Sequence, residues 1–135
     1  MTLIKSISGI RGTIGGTVNN SLTPVDAVKF AAAYGTWLQS AHPEKKMKVV
    51  IGRDARISGQ MISNLVVSTL SGLGIDVVDL GLSTTPTVEI AVPMEKAQGG
   101  IILTASHNPK QWNALKLLNE KGEFISGADG EMVLD

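Results

Sequence analysis

The sequence predicts an α/β fold, specifically a three-layer α/β/α domain. Its sheet is mixed and mostly parallel, with one antiparallel strand after a polar loop at 105–113. Two observations carry this reading. Apolar, strand-like runs at 47–51, 75–80 and 100–104 alternate with amphipathic stretches at 60–71 and 86–97, and such β-α-β-α-β alternation implies parallel strands, right-handed crossovers and helices on the sheet faces. The link from 105 to 113 is too short for a helical crossover, so the strand at 114–119 should return antiparallel.

Taken in order, residues 1–22 are rich in Gly and Ser. Glycines at 9, 12, 15 and 16 suggest turns and close backbone approach. Thr23-Pro24-Val25-Asp26 is a helix start, with Thr23 as N-cap, Pro24 at the first helical position and Asp26 as a capping acid. Ala27, Ala31, Tyr34 and Leu38 fall on one face, with Phe30, Ala33, Trp37 and Ala41 beside it. Tyr34 and Trp37 therefore read as core, and His42-Pro43 ends the helix. His42 has no second ligand at metal spacing and reads as a surface residue. In the second helix Met61, Ile62, Leu65, Val66, Thr69, Leu70 and Leu73 are in phase, and Gly72 and Gly74 stop it. Pro93 must kink or interrupt the helix at 86–97. Ile101-Ile102-Leu103 is a β-branched apolar run suited to a strand covered on both faces. In the strand at 114–119, Lys116 points opposite to Leu115 and Leu117. Glu120-Lys121-Gly122-Glu123 reads as a turn into a short strand around Phe124-Ile125, and 127–135 begins a further element.

Composition narrows the function classes. The 135 residues suffice for about one domain, and 43% are hydrophobic, which argues against disorder. Twelve basic and twelve acidic residues balance, so neither nucleic acid nor an anionic membrane is an expected partner. The five aromatics are scattered and form no stacking platform. Cysteine is absent, which excludes disulfides and thiolate metal sites. No signal-peptide pattern or membrane-length apolar run occurs, so a cytoplasmic location is the expectation.

In open α/β sheets, ligands bind beyond the carboxyl ends of the strands. The loops there are 52–59, 81–86 and 105–113, all polar and rich in Gly, Ser or Thr. Arg53, Arg56, Ser83 and Ser106 should share this rim. With Arg11, Lys110 and Lys116 they make a set suited to an anion, phosphate above all. Ser106 and His107 are not a nucleophile–base dyad, because neighbouring side chains in extended chain point to opposite faces. Pro109 keeps Asn108 out of helical dihedrals.

Four collinear motifs carry a resemblance. Thr104-Ala105-Ser106-His107-Asn108-Pro109 resembles the active-site loop of the α-D-phosphohexomutases, the family of phosphoglucomutases, phosphomannomutases and phosphoglucosamine mutases. Gly9-Ile10-Arg11-Gly12 resembles that family's N-terminal loop. The run from Gly52 through Arg53, Asp54, Arg56 and Ser58 to Gly59 resembles its G-R-D-x-R-x-S-G motif. Asn113-Ala114-Leu115-Lys116 resembles its N-G-[FI]-K, departing at Ala114 and Leu115.

The resemblance implies a phosphohexose mutase that interconverts hexose 1- and 6-phosphates through phospho-Ser106 and a bound hexose 1,6-bisphosphate. Lys116 is then the candidate general base, provided nearby cations and burial depress its pKa. Arg11 is a candidate acid or phosphate contact. His107 hydrogen-bonds the phosphate or holds the loop. Arg53, Asn108 and Lys110 are candidate phosphate or substrate contacts, with pairing of Arg53 to Asp54 to orient the rim as the alternative for Arg53. The family's Mg²⁺ would be bound here through the Ser106 phosphate alone. The D-x-D-x-D carboxylates are missing, and Asp76 and Asp79, the closest pair, sit on another strand.

The resemblance covers domain I of four. Residues 1–135 therefore read as one domain of a larger multi-domain enzyme, inactive alone, with the remaining domains as partners and 127–135 as an unfinished element. The alternatives are a non-catalytic phosphosugar- or anion-binding module and a phosphatase running through phospho-Ser106.

Overall fold

The computed structural model describes residues 3–6, 9–13, 24–43, 46–54, 59–104 and 112–125. In chain order the elements are β1 (Leu3–Ser6), β2 (Gly9–Thr13), α1 (Pro24–Ala41), β3 (Lys48–Arg53), α2 (Gly59–Gly72), β4 (Asp76–Leu82), α3 (Thr85–Met94), β5 (Gly99–Leu103) and β6 (Trp112–Leu118). The strands form one six-stranded sheet in the order β1-β2-β6-β5-β3-β4. β3 lies parallel to β4 and β5, and β6 runs antiparallel to β5. β2 is antiparallel to β6, and β1 to β2. Thus β2, β3, β4 and β5 point one way, with β6 and β1 opposed.

The β-α-β-α-β core and the antiparallel return after residue 113 are as expected. The N-terminal stretch is different. Residues expected as glycine-rich turns form β1 and β2, an antiparallel pair docked on β6. Isolated Gly-rich chain has little strand preference, and the free edge of β6 supplies the partner that decides the matter. The turn at 120–123 ends in a single bridge, Leu118 to Phe124, in place of a short strand. The expected element at 127–135 lies outside the described residues, as does Thr23, the expected cap of α1.

Two cores make the three layers. On one face, Ala27, Phe30, Ala31, Tyr34 and Leu38 of α1 and Ile62, Val66 and Leu70 of α2 meet Val49, Ile51, Ile101, Leu103, Leu115 and Leu117. On the other, Val88 and Val92 of α3 meet Val50, Ile102 and Leu118. β5 is buried at every position, as its unbroken apolar run implied. α2 departs from its predicted face at Met61, which is exposed while Ser63 is buried. α3 begins with Thr84, whose side chain accepts the Thr87 N–H, and ends one residue past Pro93. His42, expected at the surface, is half-buried, with Nε2 3.9 Å from the Glu120 carboxylate. The turn after β6 folds back on the end of α1, a proximity that local sequence does not report.

Tyr34 ties the main helix to the sheet. Its ring is fully buried, its hydroxyl donates to the Leu118 carbonyl, and it accepts the Gly100 N–H at 3.0 Å. Gly100 and Leu118 are ladder partners, so the hydroxyl sits in the final rung between β5 and β6. Gly99 is required beside it, because a Cβ there would overlap the Tyr34 oxygen. Burial holds the Tyr34 phenol well above its ordinary value of 10.0. The phenolate therefore forms only on unfolding, and the stability present below pH 10 is lost as pH rises above it. Unfolding free energy is expected to fall by about 1.4 kcal/mol per pH unit just above pH 10. Denaturant titrations across that range would show the slope in the parent chain, and Tyr34→Phe should remove it.

Candidate functional site

Three parallel strands end together. Ser83 N–H donates to the Arg53 carbonyl at 2.9 Å, and Asp54 N–H donates to the Leu103 carbonyl at 3.1 Å. These bonds extend the β4–β3 and β3–β5 ladders past the strands, so residues 53–54, 83–84 and 103–104 form one continuous rim. Gly52 lets the β4–α3 loop close over β3, because a Cβ there would overlap the Ser83 hydroxyl.

The side chains at this rim tie elements together. Arg53 Nη2 donates to Gln60 Oε1 at 3.0 Å, and Gln60 Nε2 donates to Asn64 Oδ1 at 2.8 Å. Arg53 Nη1 reaches the Asp54 carbonyl at 3.4 Å. One guanidinium nitrogen thus reaches the first turn of α2. Asp54 Oδ2 accepts the Thr104 hydroxyl at 2.7 Å, across 50 residues of chain. Arg53 thus reaches the Asp54 backbone and α2, while the Asp54 carboxylate reaches Thr104 at the end of β5. Adjacent side chains at a strand end leave on opposite faces, so each finds a different neighbour.

Away from these loops, register joins two further candidates. Lys116 on β6 stands opposite Gly9 on β2 and Ile102 on β5. Arg11 is paired with Ala114. Arg11 and Lys116 therefore lie on adjacent strands within two residues of register, although 105 positions separate them in sequence. Lys116 is half-buried, whereas its neighbours Leu115 and Leu117 enter the main core. Nothing local in Gly9-Ile10-Arg11-Gly12 announces a strand, so this juxtaposition could be read only from the motifs.

Ser106, His107, Asn108, Lys110 and Arg56 lie outside the described residues, and so does the side chain of Arg11. The described residues do not fit a divalent cation. They contain no group of three His, Cys, Asp or Glu side chains able to hold one. Asp76 pairs with Lys46 at 3.4 Å, and Asp79 Oδ1 accepts the Gly81 N–H at 2.8 Å. Among the described residues no helix is long and apolar enough to cross a membrane.

Comparison with known proteins agrees with this geometry. Residues 3–134 match the family model for the phosphoglucomutase/phosphomannomutase alpha/beta/alpha domain I. A phosphoglucomutase/phosphomannomutase of Thermococcus kodakarensis is 42% identical over 113 residues, covering 82% of this chain and 25% of its own length. A phosphoglucosamine mutase of Latilactobacillus sakei is 36% identical over 135 residues, covering 98% of this chain and 29% of its own length. In structure, a phosphoglucomutase/phosphomannomutase family protein from Burkholderia thailandensis superposes with a TM-score of 0.81 at 27% identity, covering 97% of this chain and 29% of that one. The chain thus spans between a quarter and a third of the length of these relatives. With nearly every residue inside the family match, and with the rim and register described above, the chain belongs to the phosphoglucomutase/phosphomannomutase family as its α/β/α domain I.

Proposed function

We propose that this domain supplies the phosphoryl-carrying serine and the general base of a hexose phosphate mutase. The observation that carries the reading is the register that sets Arg11 beside Lys116 on adjacent strands, next to the β5 end from which the Ser106 loop departs. The motif at 9–12 is thereby set beside the one at 113–116, which is distant from it in sequence.

In this reading phospho-Ser106 donates to a hexose 1- or 6-phosphate. The Ser106 Oγ–P bond breaks as a bond forms from phosphorus to the sugar oxygen. The proton of that sugar hydroxyl passes to Lys116, and the Ser106 oxygen recovers a proton as the site resets. The resulting hexose 1,6-bisphosphate turns over and returns its other phosphate to Ser106. Arg11, His107, Asn108 and Lys110 hold the transferring group and offset its charge, the main demands of phosphoryl transfer. Arg53, one nitrogen of which is bonded to α2, contacts a phosphate or fixes the rim. By the resemblance, donors for Mg²⁺ other than the Ser106 phosphate come from outside residues 1–135. The sugar-selecting groups do too, so residues 1–135 alone should not turn over substrate.

The test is a hybrid in which this chain replaces the matching segment of the Thermococcus kodakarensis relative. Given glucose 1-phosphate or mannose 1-phosphate, it should yield the 6-phosphate without net phosphate release. Intact-mass and peptide analysis should place one phosphate on Ser106. Phosphate release in place of isomerisation would favour the phosphatase, and sugar phosphate binding without conversion would favour the binding module. Either result overturns the mutase reading.

A further inference from the structure

We infer that Asp54 is a positioning residue for the phosphoryl-carrying serine, acting through the hydroxyl of Thr104. The inference rests on the mutase reading above and adds a residue to it.

Thr104 is the last described residue of the β5 exit, two positions before Ser106. It is 8% exposed, one of few buried polar side chains. Its Oγ1 donates to Asp54 Oδ2 at 2.7 Å, a full-strength hydroxyl hydrogen bond by length. Thr is branched at Cβ and stiff about χ1, so fixing its oxygen fixes the orientation of the residue.

The acceptor is equally well held. Asp54 N–H is bonded to Leu103 O, and the preceding residue is tied to Ser83 through its carbonyl and to Gln60 through its guanidinium. The carboxylate is therefore a fixed post standing on three elements: β3, α2 and the β4–α3 loop. Its charge rules out the simpler role of phosphate ligand, because a carboxylate repels a phosphoryl group instead of binding it. A fixed anion at an anion-handling rim is useful if it grips the backbone that carries the serine. Displacing a reacting group by about 1 Å can cost on the order of a hundredfold in rate.

The proposal is tested in the hybrid by steady-state kinetics with glucose 1-phosphate. Thr104→Val and Asp54→Ala each remove the hydrogen bond and should lower kcat about a hundredfold, with KM changed less than about threefold. Thr104→Ser and Asp54→Asn keep a donor or an acceptor in place and should recover most of that loss. A purely structural role would not separate the two pairs and would change folded fraction and kcat together. Thermal melting of all four variants supplies that check, and Thr104→Ala stands in should the Val variant not fold. Unchanged kcat in Thr104→Val and Asp54→Ala would overturn the inference, as would equal losses in the conservative and the disruptive variants. Ser106→Ala separates this failure from failure of the mutase reading. If Ser106→Ala is inactive while Thr104→Val and Asp54→Ala keep full turnover, only the positioning role falls. If Ser106→Ala is itself active, the mutase reading falls and the positioning role with it.

Discussion

Ser106→Ala in the hybrid should abolish turnover, lowering kcat by about a thousandfold or more, as loss of a covalent nucleophile does in other enzymes. The size of the effect follows from the role proposed for Ser106 as the phosphoryl carrier. Among the described residues the nearest hydroxyl in sequence is Thr104, which is buried and donates to Asp54. Ser83 lies on another loop, its hydroxyl turned back on the Gly81 carbonyl at 3.3 Å. In the proposed mechanism, removing the Ser106 oxygen removes the atom that carries phosphorus between half-reactions. In the proposed mechanism affinity for glucose 1-phosphate should change little, because the cations of the site, not the serine oxygen, would hold the substrate phosphate. Steady-state assays of the hybrid with glucose 1-phosphate and 1,6-bisphosphate, alongside direct binding, separate the two quantities. Turnover within tenfold of the parent would remove Ser106 from the mechanism.

The second large effect concerns stability. Gly99→Ala should cost about 3 kcal/mol, since the added methyl must displace the Tyr34 hydroxyl from the last rung between β5 and β6. The hydroxyl cannot yield freely. It serves the Gly100 N–H and the Leu118 carbonyl together, and leaving such buried groups unpaired costs about 1–3 kcal/mol. Tyr34→Phe should therefore destabilise by about 2 kcal/mol on its own. It also removes the atom with which the new methyl collides. In the Tyr34→Phe background the further cost of Gly99→Ala should drop to about 1 kcal/mol, leaving a coupling of about 2 kcal/mol. Urea unfolding of the four chains measures it. Additive losses would show that the methyl is accommodated elsewhere, against the Leu38 side chain or the Leu118 carbonyl.

The sheet core was legible because periodicity reports burial directly. The unbroken run at 101–103 marked a strand covered on both faces, and Ala27, Ala31, Tyr34 and Leu38 marked the buried stripe of α1. Lys116 between Leu115 and Leu117 announced its own side of β6 by simple alternation. The errors are of a different kind. Met61 fits the helical period as well as Ile62 does, yet is exposed at the margin of the buried stripe. His42 was misread because Glu120 is 78 positions away in sequence. Gly9–Thr13 was misread because its strand character depends on the edge of β6.

The candidate site divides in the same way. Its inventory, a serine loop with basic and hydroxyl residues at the carboxyl ends of parallel strands, was written in the sequence. Which of these residues act together was not. The pairing of Gly9 with Lys116 and of Arg11 with Ala114, and the bond from Thr104 to Asp54, follow from strand order and register. Local composition fixes hydrophobic period, turns and caps within about one helix or strand. Strand order is set by long-range pairing, in which segments a hundred residues apart satisfy one another's backbone groups, and only the folded chain shows which segments those are.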